Sequence, residues 1–296
     1  MSTSFTLSQH WKAYDVFARQ KIKTFRSSRP AVLELAARYK DLVTQLRNPS
    51  SSSSSQHDPD ADRLLFTEMC EVCLWGNATD LSLLTSLTYE DIQKLQGSEA
   101  RRAAEQNILV NDLAAVYAHL VAAKQAKPKG DRRVDIVLDN AGFELYVDLI
   151  LAGYLLSAGL ATTVVLHPKS IPWFVSDVLP SDFAALLSAI AQPRQFYETQ
   201  SEEEALQGKE PERLNEKEVE ELGFLFQEWS RFHAEGMLVL RPNRVWTGPG
   251  SFWRLPVEEE GVVGDWRGAE VVVFKGDLNY RKLVGDVSFF SFLPHL

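Results

Sequence analysis

The chain has 296 residues, 45% of them hydrophobic and 24% charged, which is enough apolar material for a substantial core and excludes disorder of the chain as a whole. A formal charge of −9 denies it the broad basic field that would hold nucleic acid or an anionic membrane, leaving only a local basic pocket open. The start, MSTSFTLSQHWKAYDVF, lacks the charged-then-apolar plan of a secretory signal and no apolar run reaches the roughly 18 residues of a membrane span, so the expected setting is cytoplasmic. Oligomeric state is not readable.

The first third is written in helical period. Trp11, Tyr14, Phe17, Ile22 and Phe25 form one apolar stripe, and Val32, Leu35, Ala36, Tyr39, Leu42 and Val43 form another, which predicts two amphipathic helices. Pro49, the serine tract 50–55 and the polar residues to Asp60 cannot bury anything, so 49–60 reads as a mobile surface loop. Helical pattern returns over 62–74, 89–95 and 103–123, making residues 1–125 a helical region. Cys70 and Cys73 lack the second Cys/His pair of a structural zinc site and read as packed helix cysteines.

After the polar joint 125–133 the grammar changes. A β-branched run at 134–138, a helix from Gly142 to Leu156 stopped by Gly159, and a second run at 162–166 make one βαβ unit; further strands are expected at 237–240 and 270–274. The expected fold is α/β: the helical region packed on a three-layer α/β/α domain over 126–296 with a mainly parallel sheet. Ligands of such sheets bind at the carboxyl ends of the strands. The acidic stretch 201–221 reads as a solvated helix or loop.

The first strand runs into Asp139-Asn140-Ala141-Gly142-Phe143-Glu144. Carboxylate and amide oxygens at the mouth of a parallel sheet, just ahead of a helix amino end, suit a hard cation such as Mg²⁺ or Mn²⁺ together with phosphate. An Asp-Asn pair there also reads as an ordinary turn and cap. The last strand ends in Lys275-Gly276-Asp277-Leu278-Asn279-Tyr280-Arg281-Lys282, another acid near a strand terminus with three cations; a polar hairpin is the plainer reading. In Ser170 to Asp177 the aromatic pair Trp173-Phe174 could pack a core and Asp177 could cap a helix.

Four stretches, LWGNATDLS at 74–82, DNAGFE at 139–144, IPWFVSD at 171–177 and KGDLNYRKL at 275–283, together resemble the damage-control phosphatase family of metal-dependent sugar-phosphate phosphatases. The nearest branch contains the protein also described as a protein-glutamate (acidic-residue) methyltransferase, and residues 14–26 and NILVND at 107–112 look like that branch too. The resemblance implies a Mn²⁺-type ion (or Ni²⁺, Co²⁺, Mg²⁺) held by Asp139, Asn140 and Asp177. It implies substrate contacts from the same Asp139 and Asn140, from Glu144, and from Asp277, Asn279, Tyr280, Arg281 and Lys282. The implied substrate is a small phosphorylated metabolite such as fructose 1-phosphate.

Phosphomonoester hydrolysis needs phosphoryl charge neutralised, an in-line nucleophile and help for the leaving oxygen; an ion held by only three side chains leaves positions for water and phosphate. Catalytic roles fall to Asp139, Asp177 and Asp277, with base and nucleophile both open, and Arg281 and Lys282 are assigned to phosphate orientation. Relatives continue beyond KGDLNYRKL to an Arg-Thr-x-Lys motif. Here the sequence passes from Gly285-Asp286 into an apolar tail without it, so a domain truncated at its carboxyl end, through a shortened or mis-spliced gene model, is expected. The alternatives are an S-adenosylmethionine-dependent protein carboxyl methyltransferase, disfavoured by the single glycine in the 139–142 turn, and an inactive truncated relative acting as a binding module.

Overall fold

The computed structural model describes residues 14–47, 59–74, 108–200, 205, 206, 208 and 210–285. Trp11, residues 49–58 of the serine loop, 75–82 of the LWGNATDLS stretch, the helical patterns at 89–95 and 103–107, and the tail beyond Gly285 lie outside them.

Two helices open the fold, α1 (Ala18–Ser27) and α2 (Arg29–Arg47), and α2 buries the expected face of Val32, Leu35, Ala36, Tyr39, Leu42 and Val43. Helix α3 (Pro59–Leu74) begins on its proline, where the missing N–H costs no hydrogen bond, with Asp60 and Asp62 in the positively polarised first turn. Pro59 and Asp60 therefore belong to the helix rather than to the loop. Helix α4 (Leu113–Ala126) starts later than the apolar period suggests: Asn111 Oδ1 accepts from the Leu113 amide, a local turn that competes with helix, and Leu109 stands 93% exposed.

The βαβ unit is present as β1 (Arg133–Val137), α5 (Phe143–Ser157) and β2 (Thr163–His167). Next come α6 (Pro180–Ala191), α7 (Pro193–Glu198) and α8 (Glu216–Ala234), then β3 (Leu238–Leu240). The end of the acidic stretch enters α8 through a capping box in which Asn215 and Glu218 satisfy each other's backbone amides. Two 3₁₀ turns, short helices α9 (Leu255–Glu258) and α10 (Glu260–Trp266), strand β4 (Ala269–Phe274) and α11 (Asp277–Val284) complete the described chain.

The sheet is wholly parallel in the order β3-β2-β1-β4, with Val137 opposite both His167 and Phe274 at the carboxyl ends. Alternation along the strands divides two cores. Val134, Ile136, Val164 and Leu166 face α5 in a cluster that extends into α2 and α3, while Val137, Val272 and Phe274 meet Trp246, Phe252 and Leu255 on the other side. Every residue of α5 from Glu144 to Leu156 is buried, so this helix is enclosed between sheet and helical layer, and burial of each large apolar side chain contributes roughly 1.5–3 kcal/mol. The helices before residue 126 and the sheet after it share one continuous core. Among the described residues no helix is long and apolar enough to cross a membrane.

Candidate functional site at the strand ends

Backbone pairing decides which side chains meet. Past β1 the chain runs antiparallel to the segment after β2: the Ala141 amide donates to Ser176 O at 2.7 Å, the Val178 amide to Asp139 O at 2.9 Å, and Asn140 bridges Asp177. Asp177 is thereby fixed beside Asp139 and Asn140 although 38 residues separate the aspartates in sequence. It caps no helix, since α6 starts from Leu179 with Asp182 in the capping role. Nor do Asp139 and Asn140 cap α5, which starts behind Gly142 with no side-chain cap. Gly142 has φ +74°, and a Cβ there would lie 2.5 Å from Thr24 Oγ1, so only glycine lets α1 close over this turn.

From the opposite side, β4 delivers the turn Lys275-Gly276-Asp277. Gly276 has φ +83°, and a Cβ on it would stand 2.0 Å from Asp139 Oδ2, so the two strand ends touch only because this residue is bare. The result is one pocket of about 650 Å³. Asp139, Asn140, Glu144, Ser176 and Asp177 form one wall, Lys275, Asp277 and Arg281 another, and Leu74, Phe174, Phe274 and Leu278 give apolar surface.

The polar groups are interlocked. Asn140 Nδ2 donates to both Asp139 Oδ2 and Glu144 Oε2 at 2.8 Å, while Ser176 Oγ donates to Asn140 Oδ1 at 2.5 Å. The Phe174 amide donates to Asp177 Oδ2 at 2.6 Å, and Lys169 Nζ, 3.6 Å from Asp177 Oδ1, donates to Leu138 O at 2.7 Å. Burial, reinforced by Glu144, pushes the Asp139 carboxyl up to about 6 against the pull of Lys169, with Asp177 and Asp277 adding to the rise. Glu144 is raised by burial first, with Lys275 opposing and Asp148 reinforcing.

Among the described residues no three Asp, Glu, His or Cys side chains converge as a preformed metal cluster. The donor set on offer is two carboxylates and an amide, and its chemistry fits a hard divalent cation. Four carboxylates line the pocket with Lys275 and Arg281, and burial first, then Glu144, raises the Asp139 carboxyl, so a hard cation beside it would favour the charged form.

The structure brings Asp277 and Arg281 to the pocket as an i, i+4 pair on α11, 2.8 Å apart. It does not bring Asn279, Tyr280 or Lys282 there. Asn279 is fully buried and donates to Lys275 O at 2.7 Å, which secures the turn from behind. Tyr280 is half exposed and lies outside the pocket lining. Lys282 Nζ donates to Gly248 O at 2.6 Å and lies over the Phe252 ring, so phosphate orientation does not fall to it in this arrangement. A helix turns about 100° per residue, so a motif continuous in sequence cannot put five side chains on one face.

Sequence reasoning missed Lys169, Ser176 and the apolar wall. Lys169 stands two residues past β2, and its position at a strand's carboxyl end was the available signal. Trp173 and Phe174 do not pack a core: they are 43% and 56% exposed, edge to face, with Phe174 at the pocket rim.

Comparison with known proteins identifies the family. The family model of the damage-control phosphatase ARMT1-like domain matches residues 3–291. The chain belongs to the ARMT1-like damage-control phosphatase domain family. It is 33% identical over 275 residues to damage-control phosphatase ARMT1 of Danio rerio, covering 92% of this chain and 54% of that protein. The Xenopus laevis protein of the same name is 33% identical over 282 residues (95% and 56%), and the Homo sapiens protein 30% identical over 274 residues (92% and 54%). The chain thus spans about half the length of the curated relatives it matches. In this ARMT1-like domain the match takes in both walls of the pocket, from Leu74 to Arg281.

Proposed function

We propose that the pocket is the active site of a metal-dependent phosphomonoesterase acting on small sugar phosphates, fructose 1-phosphate among them, in the cytoplasm. The observation that carries this reading is the placement of Asp139, Asn140 and Asp177 side by side, across one pocket from Arg281. Relatives named damage-control phosphatases support it.

Asp139, Asn140 and Asp177 would hold the ion, with Mn²⁺ first and Ni²⁺, Co²⁺ or Mg²⁺ as alternatives. Bound there, it supplies charge neutralisation for the phosphoryl oxygens and a water of lowered pKa. Arg281 presents a planar fork to phosphate, aligned by its pair with Asp277. Asp277, exposed at the rim and paired with Arg281, stands where it can reach the reacting oxygens, and Glu144 is placed to receive a sugar hydroxyl. Phe174 and Phe274 exclude water from the sugar's apolar face.

The test is phosphate release from fructose 1-phosphate under a metal panel, beside an incubation with labelled S-adenosylmethionine. Metal-dependent release in the wild type, lost at least a hundredfold in Asp139→Ala and Asp177→Ala, is expected. Turnover unchanged from wild type in both variants would remove the site. Methyl transfer alone would replace the reading with a methyltransferase, and Mn²⁺ binding without release would leave a binding module.

A further inference from the structure

Lys275 was noticed in the sequence only as one cation among three, but the structure gives it a separate position. Its backbone amide donates to Val137 O at 3.0 Å, continuing the β1–β4 ladder past Phe274, while its side chain turns inward and is buried. Its ammonium donates to Asp148 Oδ1 at 2.7 Å and Cys73 O at 2.9 Å, lies 3.5 Å from Cys73 Sγ, and forms an ion pair with Glu144 Oε1 at 3.3 Å. Asp148 also accepts from Cys73 Sγ at 3.1 Å.

The three partners differ in meaning. Cys73 O belongs to the last turn of α3, where backbone carbonyls have no helical partner and the dipole is negative, so a buried ammonium is a fitting terminus for the helix. The residue after it, Leu74, is already pocket wall. Asp148 supplies the compensating charge from the middle of α5. Glu144 faces the other way: its second oxygen accepts from Asn140 Nδ2, and that bond, with the one to Asp139, sets which end of the Asn140 amide points into the pocket.

We propose that Lys275 is a positioning residue that ties the carboxyl end of α3 to the Asn140 amide through Glu144, so that docking of the helical layer and the geometry of the cation-holding side chains are set by one buried ammonium. The inference rests on the reading of Asp139, Asn140 and Asp177 as an ion-binding set. Its physical basis is that the outer partners of a ligand fix ligand orientation, and losing one typically costs ten- to a hundredfold in metal affinity. Asp148 touches Lys275 and Cys73 but makes no bond to Asn140, so it shares the structural part of the role and not the positioning part.

That asymmetry supplies the test, made on the whole chain. Lys275→Met and Asp148→Asn are compared with wild type by Mn²⁺ calorimetry, by thermal unfolding, and by backbone hydrogen exchange over 70–74 in chelator. Both variants are expected to melt lower and to exchange faster at the end of α3. Only Lys275→Met is expected to bind Mn²⁺ ten- to a hundredfold more weakly, with Asp148→Asn within threefold of wild type. Wild-type Mn²⁺ affinity in Lys275→Met, equal losses in both variants, or unchanged exchange at 70–74 would each overturn the proposal. Should Lys275→Met fail to fold, Lys275→Gln, which keeps a donor for Cys73 O but no charge for Glu144, is read on the same measures. A wild type that binds no Mn²⁺ defeats the metal reading itself, and the exchange measured in chelator still decides whether Lys275 anchors α3.

Discussion

At the scale of single residues, Asp139 sits in a site that costs the fold something in the absence of a cation. Its carboxyl is raised from 3.8 to about 6, so the native state holds this proton more tightly than the unfolded chain does. The sign follows: relative stability is greatest where the group is protonated in both states and falls as pH rises through about 6. Asp139→Asn keeps an acceptor for Asn140 Nδ2 and removes the charge. In chelator at pH 8 we expect it to be more stable than wild type by roughly 1–2 kcal/mol, a shift discounted for the open side of the pocket, with the gain gone near pH 4. Calorimetric melts at the two pH values measure this, and a variant that melts lower than wild type at pH 8 contradicts it. Asp139 and Asp277 stood out in the sequence because they follow strand ends, where ligands of parallel sheets bind, whereas Asp177, ten residues past β2, and Glu144, on the helix, were named only through the family resemblance. Lys169 and Lys275 were not, since a lysine is ordinarily a solvated residue and nothing in its neighbours announces that its ammonium is buried against backbone carbonyls.

At the scale of elements, the strands were readable because they are covered on both faces and so appear as short β-branched runs at 134–138 and 270–274, within a residue of their observed bounds. The faces of α11 were not, because a motif is read as a line and the helix distributes it around a cylinder. This leads to opposite expectations for neighbouring cations. Arg281→Ala should lower kcat/KM for the phosphate ester about a hundredfold, whereas Lys282→Ala should stay within about threefold and lose about 1 kcal/mol of stability with its bond to Gly248 O. Steady-state kinetics and denaturant unfolding on the two variants separate the outcomes; a larger kinetic loss at Lys282 would mean that α11 rotates to present its other face. Gly276→Ala, with a Cβ driven into the Asp139 carboxylate at positive φ, should abolish Mn²⁺ binding while leaving far-ultraviolet circular dichroism intact.

At the scale of the molecule, the change of sequence grammar near residue 126 does not divide two independent bodies. Helix α5 is enclosed, with α2 and α3 on one side and the sheet on the other, and Tyr146 donates its hydroxyl to Val32 O at 2.8 Å across that boundary. A fragment of residues 126–296 would expose the α5 face that α2 and α3 cover. We expect it to lack a cooperative thermal transition and to bind a hydrophobic dye, where the full chain does neither. A fragment with native near-ultraviolet circular dichroism would show the boundary to be real. Periodicity could not reveal this, since an amphipathic stripe says that a helix has a partner and not which partner it has.

The pairing of β1 with β4 joins Val137 to Phe274 across more than a hundred positions of chain. During synthesis, therefore, the acids at 139 and 177 leave the ribosome long before the lysine and arginine that complete their enclosure. Until then the nascent polypeptide carries an unbalanced anionic half-site beside a bare strand edge, and closing so distant a contact is intrinsically slow.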